Sequence, residues 1–169
     1  MTGQEFRAAY PIIFGWIQNT LAQHGSVTRP VASLGFQRLP LYYNGETLAA
    51  AKVAVVPVVP VPPLAEMGLG RFRDFADLIP AGITYLDTYF VRADNVADES
   101  VHFHELVHVV QWRLLGPERF LADYADGLER FGYRNSPLEV MAYDLQNRFE
   151  TGSPSFDVEQ VVARALVPK

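Results

Sequence analysis

His102-Phe103-His104-Glu105-Leu106-Val107-His108-Val109-Val110-Gln111 packs three of the chain's four histidines into seven residues around one glutamate. Read as a helix, it places His104 and His108 at i and i+4. Both rings then leave one face with Cβ atoms roughly 5–6 Å apart, close enough to share an ion at Zn–N distances of about 2.0–2.1 Å. Glu105 follows on the same turn, in the general-base position of H-E-x-x-H sites, where a carboxylate reaches activated water without filling the coordination sphere. Phe103, Leu106, Val107, Val109 and Val110 leave little of the helix polar, and a helix apolar all round belongs in a core. Two histidines and a glutamate placed there need a partner, and a metal ion supplies one. His102 is two residues before His104 and points to roughly the opposite side, so it is read as structural.

Working outward, the fold class follows from what flanks this helix. Upstream, Gly3 to His24 has helical spacing of Phe6, Ala9, Ile13, Trp16, Ile17 and Leu21, with Pro11 marking a kink or a restart. Val31 to Phe36 and Leu39 to Tyr43 are expected as short strands. Asn44-Gly45 is expected as a hairpin turn into a strand from about Thr47 to Val56. Pro57, Pro60, Pro62 and Pro63 favour an edge or polyproline-like run, read as a plain connector in preference to a cover or partner surface. Arg71 to Leu78 fits two helical turns, and Ile83 to Val91 one strand. Asp98 or Asn95 is the expected cap of the histidine helix, which should stop at Gly116, with Pro117 opening the next helix to Arg130. Further helices are expected over Ser136 to Glu150 and Phe156 to Leu166, leaving Pro168 and Lys169 as a tail. Strands before the motif and helices after it make an α+β chain with a small mixed or antiparallel sheet.

Composition narrows the function. The 169 residues fit one domain, and a hydrophobic content of 49% excludes a disordered chain. A net charge of −5, with 14 scattered basic residues, argues against nucleic acid and anionic membrane as main partners. No apolar run approaches the length of a membrane span. The first residues, with Glu5 ahead of Arg7, carry no signal-peptide pattern, which implies a cytoplasmic protein if that terminus is native. With no cysteine, any metal must be held by His, Asp or Glu.

Two imidazoles need a third protein ligand. No histidine follows His108, and His24 has no metal spacing around it, so the third is a carboxylate. Glu118, Asp123, Asp126, Glu129, Glu139 and Asp144 are the candidates. Glu139 alone has a recognisable setting, Asn135-Ser136-Pro137-Leu138-Glu139-Val140-Met141-Ala142-Tyr143-Asp144, although Ser136 and Glu139 also spell a capping box.

H-E-x-x-H followed by a helix carrying N-x-x-x-E-x-x-A resembles the gluzincin zinc metallopeptidases. The likeness is to their smallest, single-domain members and to bacterial putative metallopeptidases reading H-E-x-x-H-x-x-Q, and it covers Val101 to Phe149. It implies a zincin-like fold, zinc on His104, His108 and Glu139, Glu105 as general base, and Ala142 allowing close helix approach. Larger gluzincins can orient a histidine with an aspartate four residues after the ligand glutamate; Tyr143 stands there, with Asp144 one further on as a candidate partner for a ring N–H. Tyr133 and Tyr143 flank Glu139 and are candidates for hydrogen-bonding an oxyanion. The expected activity is hydrolysis of a peptide or protein, with the Ile83 to Val91 strand receiving extended substrate. The alternatives are a zinc-stabilised binding or regulatory domain without turnover, and zinc hydrolysis of a non-peptide.

Overall fold

A computed structural model describes residues 3–72 and 79–166. The chain is α+β: a small four-stranded mixed sheet is followed by a long helical half. Helix α1 (Gly3–His24) runs through Pro11. Strands β1 (Thr28–Pro30) and β2 (Lys52–Val56) bracket a short helix, α2 (Gly45–Ala50), and strands β3 (Gly82–Tyr85) and β4 (Thr88–Arg92) form a hairpin. Three helices follow: α3 (Glu99–Phe131), α4 (Pro137–Glu150) and α5 (Val158–Leu166). The strand order is β1-β2-β4-β3, with β2 parallel to β4 and the outer pairs antiparallel.

Several expectations before β2 are corrected. Val31–Leu34 and Leu39–Leu41 are 3₁₀ turns, not strands. Asn44 does not open a hairpin; its side chain accepts the Thr47 N–H at 2.7 Å and caps α2, so the expected Thr47 to Val56 strand shrinks to Lys52–Val56. The side-chain oxygen that suits Asn to a tight turn suits it equally to a helix N-cap. Ile83 to Val91 is two strands, reversed at Leu86 and Asp87, where Leu86 takes φ 60°. A leucine in that left-handed conformation carries none of the usual turn chemistry, so the run reads as continuous. Most of the Arg71 to Leu78 expectation falls on 73–78, outside the described residues, as does the Pro168-Lys169 tail.

The helical half follows its punctuation. The Asp98 side chain accepts the Ser100 N–H and caps α3, and Gly116 breaks that helix at φ 73°, ψ 164°, one residue before Pro117. Only glycine adopts that backbone readily. The two limbs are tied across the break by Trp112 stacked on Phe120, with centroids 3.9 Å apart. The last helix begins at Val158 rather than Phe156.

β4 explains why its alternation is weak. Tyr89, Phe90 and Val91 are all fully buried, because both faces of this inner strand are covered. Tyr89 and Val91 pack with Phe103, Leu106 and Val110 of α3, while Phe90 packs with Ile17 of α1. The proline-rich segment is more than a connector, since Val59, Leu64 and Leu69 are buried and the latter two join Ala9 of α1 in a small cluster. Among the described residues no helix is long and apolar enough to cross a membrane.

Candidate metal centre

The first limb of α3 carries His104, Glu105 and His108 into the core, and α4 brings Glu139 against them. The close approach is allowed by Ala142, which is fully buried at this helix contact. His104 Nε2 and His108 Nε2 lie 3.1 Å apart. Glu139 Oε2 is 3.4 Å from the first and Oε1 is 3.4 Å from the second. All three residues are buried, Glu139 at 2% exposure. Among the described residues this is the group of His, Asp and Glu side chains that converges closely enough to hold an ion, with its candidate ligand atoms within 4.8 Å of one another.

The hydrogen bonds around the rings set which atoms face inward. His108 Nδ1 meets Gln111 Oε1 at 2.8 Å, and the Gln111 amide N–H donates to the Leu138 carbonyl, which fixes the orientation of that amide. His104 Nδ1 meets Gln146 Oε1 at 2.9 Å, and the Gln146 amide donates to Ser100 Oγ and to Glu150. A carbonyl oxygen only accepts, so each Nδ1 carries its own proton, and each Nε2, which can take either a second proton or an ion, is turned toward Glu139. Glu139 Oε1 accepts from the Tyr124 hydroxyl at 2.7 Å, whereas Oε2, buried, has no hydrogen-bond partner. Two imidazole lone pairs and an incompletely satisfied buried carboxylate aimed at one point suit a cation.

The electrostatics agree. Burial opposes charge on His108, but the Glu139 carboxylate prevails and the ring is pushed up to about 9. Burial likewise works against the Glu139 carboxylate, yet His108 and His104 hold it well below the usual range. Both directions have one cause, a buried carboxylate that draws positive charge toward it.

Glu105 stands apart from the three, at the edge strand. Its Oε2 accepts the Thr84 hydroxyl at 2.7 Å, and a Cβ on Gly82 would come within 2.6 Å of its Oε1. Burial pushes its carboxyl up, against the pull of His104, His108 and the Thr84 hydroxyl.

The other expected residues separate clearly. Ser136 makes no side-chain cap bond, so the capping box is not formed and Glu139 is turned to the histidines. Asp144 is exposed on α4 and is not the partner of a ring N–H; Gln111 and Gln146 hold those positions, since their amides reach inward where Asp144 faces solvent. His102 is held by the Tyr89 hydroxyl at 2.7 Å and the Val96 carbonyl at 2.9 Å, away from the centre. His24 bonds the Thr20 carbonyl. Asp123 and Asp126 pair with arginines on their own helix.

Tyr143 lies against the His104 ring, with centroids 4.5 Å apart, and Tyr133 borders the same cavity as Glu105 and Glu139. Sequence reasoning missed Tyr124, Thr84, Gly82 and Gln146. Gln111 was visible in H-E-x-x-H-x-x-Q without a role, and the others lack a local signal. No family model, curated protein or solved structure matches this chain.

Proposed function

We propose that the chain is a zinc-dependent peptidase of gluzincin type with a zincin-like fold. The observation that carries the reading is the placement of Glu139 against both Nε2 atoms, with Glu105 on the adjacent turn facing the edge strand. The order of sheet, histidine helix and glutamate helix supports the zincin-like assignment. Zinc suits two imidazoles and a carboxylate better than calcium or magnesium, which prefer oxygen shells. His104, His108 and Glu139 would hold it, and it would supply a Lewis acid that activates water.

The chain's own residues do the rest. Glu105, oriented by Thr84, takes a proton from the water whose oxygen adds to the peptide carbonyl carbon, and returns it to the amine nitrogen as the C–N bond breaks. Gly82 lets the strand come close enough to present substrate beside that carboxylate. The Trp112 indole donates to the Thr84 carbonyl, so pairing of an extended substrate with β3 is favoured toward its Gly82 end. Tyr133, bordering the cavity, is the better placed of the two tyrosines to reach an oxyanion, and Tyr143 buttresses His104.

The test is Glu105→Gln. The amide keeps hydrogen bonding but takes no proton, so the variant should retain zinc while cleavage of a peptide library falls at least about a hundredfold, within the range for loss of a general base. Full zinc with no cleavage by the unmodified chain would leave the metal-stabilised binding domain as the better reading.

A further inference from the structure

Glu139 is held unevenly. Its two carboxylate oxygens stand at the same 3.4 Å from the two rings, Oε2 from His104 and Oε1 from His108. Tyr124 tells them apart: its hydroxyl donates to Oε1 at 2.7 Å, while Oε2 is buried with no hydrogen-bond partner among the described residues. Near neutrality a phenol keeps its proton and an ionised carboxylate only accepts, so the direction of that bond is fixed. Two contacts bring the hydroxyl there, and both involve the limb of α3 after Gly116. The first is a stack of aromatic planes, Trp112 on Phe120 with centroids 3.9 Å apart and Phe120 on Tyr124 at 5.7 Å and 15°. The Trp112 indole N–H donates to the Thr84 carbonyl, so the stack is anchored on β3. The second is at Gly127, where a Cβ would lie 3.0 Å from Pro137 Cδ and from Ser136 Oγ. Without a side chain there, the limb seats against the start of α4, whose first turn carries Glu139.

We propose that Tyr124 is a positioning residue of the metal centre: by holding Oε1 it leaves Glu139 to offer an ion Oε2 alone, which keeps one coordination position open to water. The proposal rests on the reading of His104, His108 and Glu139 as ligands of one ion. A carboxylate that turns freely about its last carbon–carbon bond can chelate through both oxygens, and the second oxygen then takes the position that a catalytic zinc keeps for water. A hydrogen bond to one oxygen fixes that rotation and draws charge from the oxygen it engages, so the other is the stronger donor to a cation. Partners of this kind behind a ligand are felt at the metal. The donor comes from neither the histidine limb nor α4, so the limb after Gly116 becomes part of the centre, and the stack and the Gly127 contact become the means by which the fold sets its coordination.

The test uses cobalt(II) in place of spectroscopically silent zinc, because its visible bands are stronger with four ligands than with five. The full chain is titrated with cobalt(II) as the unmodified protein, as Tyr124→Phe, which keeps the stacked ring and removes only the hydroxyl, and as Tyr143→Phe, whose lost hydroxyl bonds Tyr133 instead. The unmodified protein and Tyr143→Phe should show the strong bands of a four-coordinate ion, and Tyr124→Phe the weaker, shifted bands of a five-coordinate one at the same stoichiometry. Bands in Tyr124→Phe identical to those of the unmodified protein overturn the proposal and leave the metal centre standing, with Tyr124 merely satisfying its own hydroxyl. An equal change in Tyr143→Phe overturns it as well, since any lost hydroxyl would then suffice, and so does a five-coordinate spectrum in the unmodified protein. If the unmodified protein binds neither cobalt nor zinc, the metal-centre reading fails first and takes the proposal with it. Should Tyr124→Phe not fold, Gly127→Ala replaces it, since it retains the hydroxyl and only shifts the limb against Ser136 and Pro137: weakened bands support the proposal, and unaltered bands overturn it.

Discussion

Glu139 satisfies two local patterns, and only its neighbours choose between them. Turned inward it meets two imidazoles and the Tyr124 hydroxyl, so Glu139→Ala should lose tight zinc binding by chelator competition, whereas Asp123→Ala and Asp126→Ala should bind as the unmodified chain does. A role confined to capping would instead cost about 0.5–2 kcal/mol of stability and leave metal content intact. Zinc must also displace the proton on His108. The ring's pKa rises from 6.5 to about 9, so the proton stabilises the metal-free fold fully below pH 6.5 and that contribution is lost as pH rises through about 9. Apparent zinc affinity should therefore increase with pH, by up to about tenfold per unit, and level off above about 9. A flat chelator titration between pH 6 and 9 would refute that proton competition. Gln111 fixes the same ring from behind while holding the Leu138 carbonyl of the facing helix. Gln111→Leu should weaken zinc about 10–100-fold, the range seen when the partner behind a histidine ligand is removed.

At the scale of elements, the contact between β3 and the histidine helix is tightest at Gly82. A methyl group there would collide with Glu105 Oε1 and displace the carboxylate or the strand. Gly82→Ala should keep zinc stoichiometry while lowering turnover, by about a hundredfold if Glu105 moves by 1 Å. Full activity in a zinc-replete Gly82→Ala protein would mean that Glu105 is not the group held by this contact. The same close approach explains a limit of sequence reading. The Leu86-Asp87 reversal that sets the register of β3 on β4 carries no glycine or asparagine, so the strand beside Glu105 was visible but its hairpin was not.

Across the whole molecule, the helices that carry His104, His108 and Glu139 are joined through the limb after Gly116, and an ion between them would link parts of the fold distant in sequence. Zinc at about a hundred times its dissociation constant stabilises a folded protein by about 2.7 kcal/mol. For a chain of this length that is a melting-temperature rise on the order of 5–10 °C. Calorimetry should show the rise in the unmodified protein and not in Glu139→Ala; an equal rise in both would place zinc elsewhere.

The sequence by itself determined the helical half, because its signals are local: Asp98 as cap, Gly116 as break, Pro117 as restart, and histidines spaced one turn apart whose burial follows from apolar neighbours. Spacing paired His104 with His108, the resemblance added Glu139 to them, and the tertiary structure brings those three together. Tertiary structure alone decided the rest. Whether Asn44 caps a helix or turns a hairpin depends on where β2 can pair, and β2 lies parallel to β4, a partner more than thirty residues away. Thr84, Tyr124 and Gln146 are ordinary residues in their own segments. They acquire roles only when folding sets them against the site, where a buried polar atom must find a partner or remain costly.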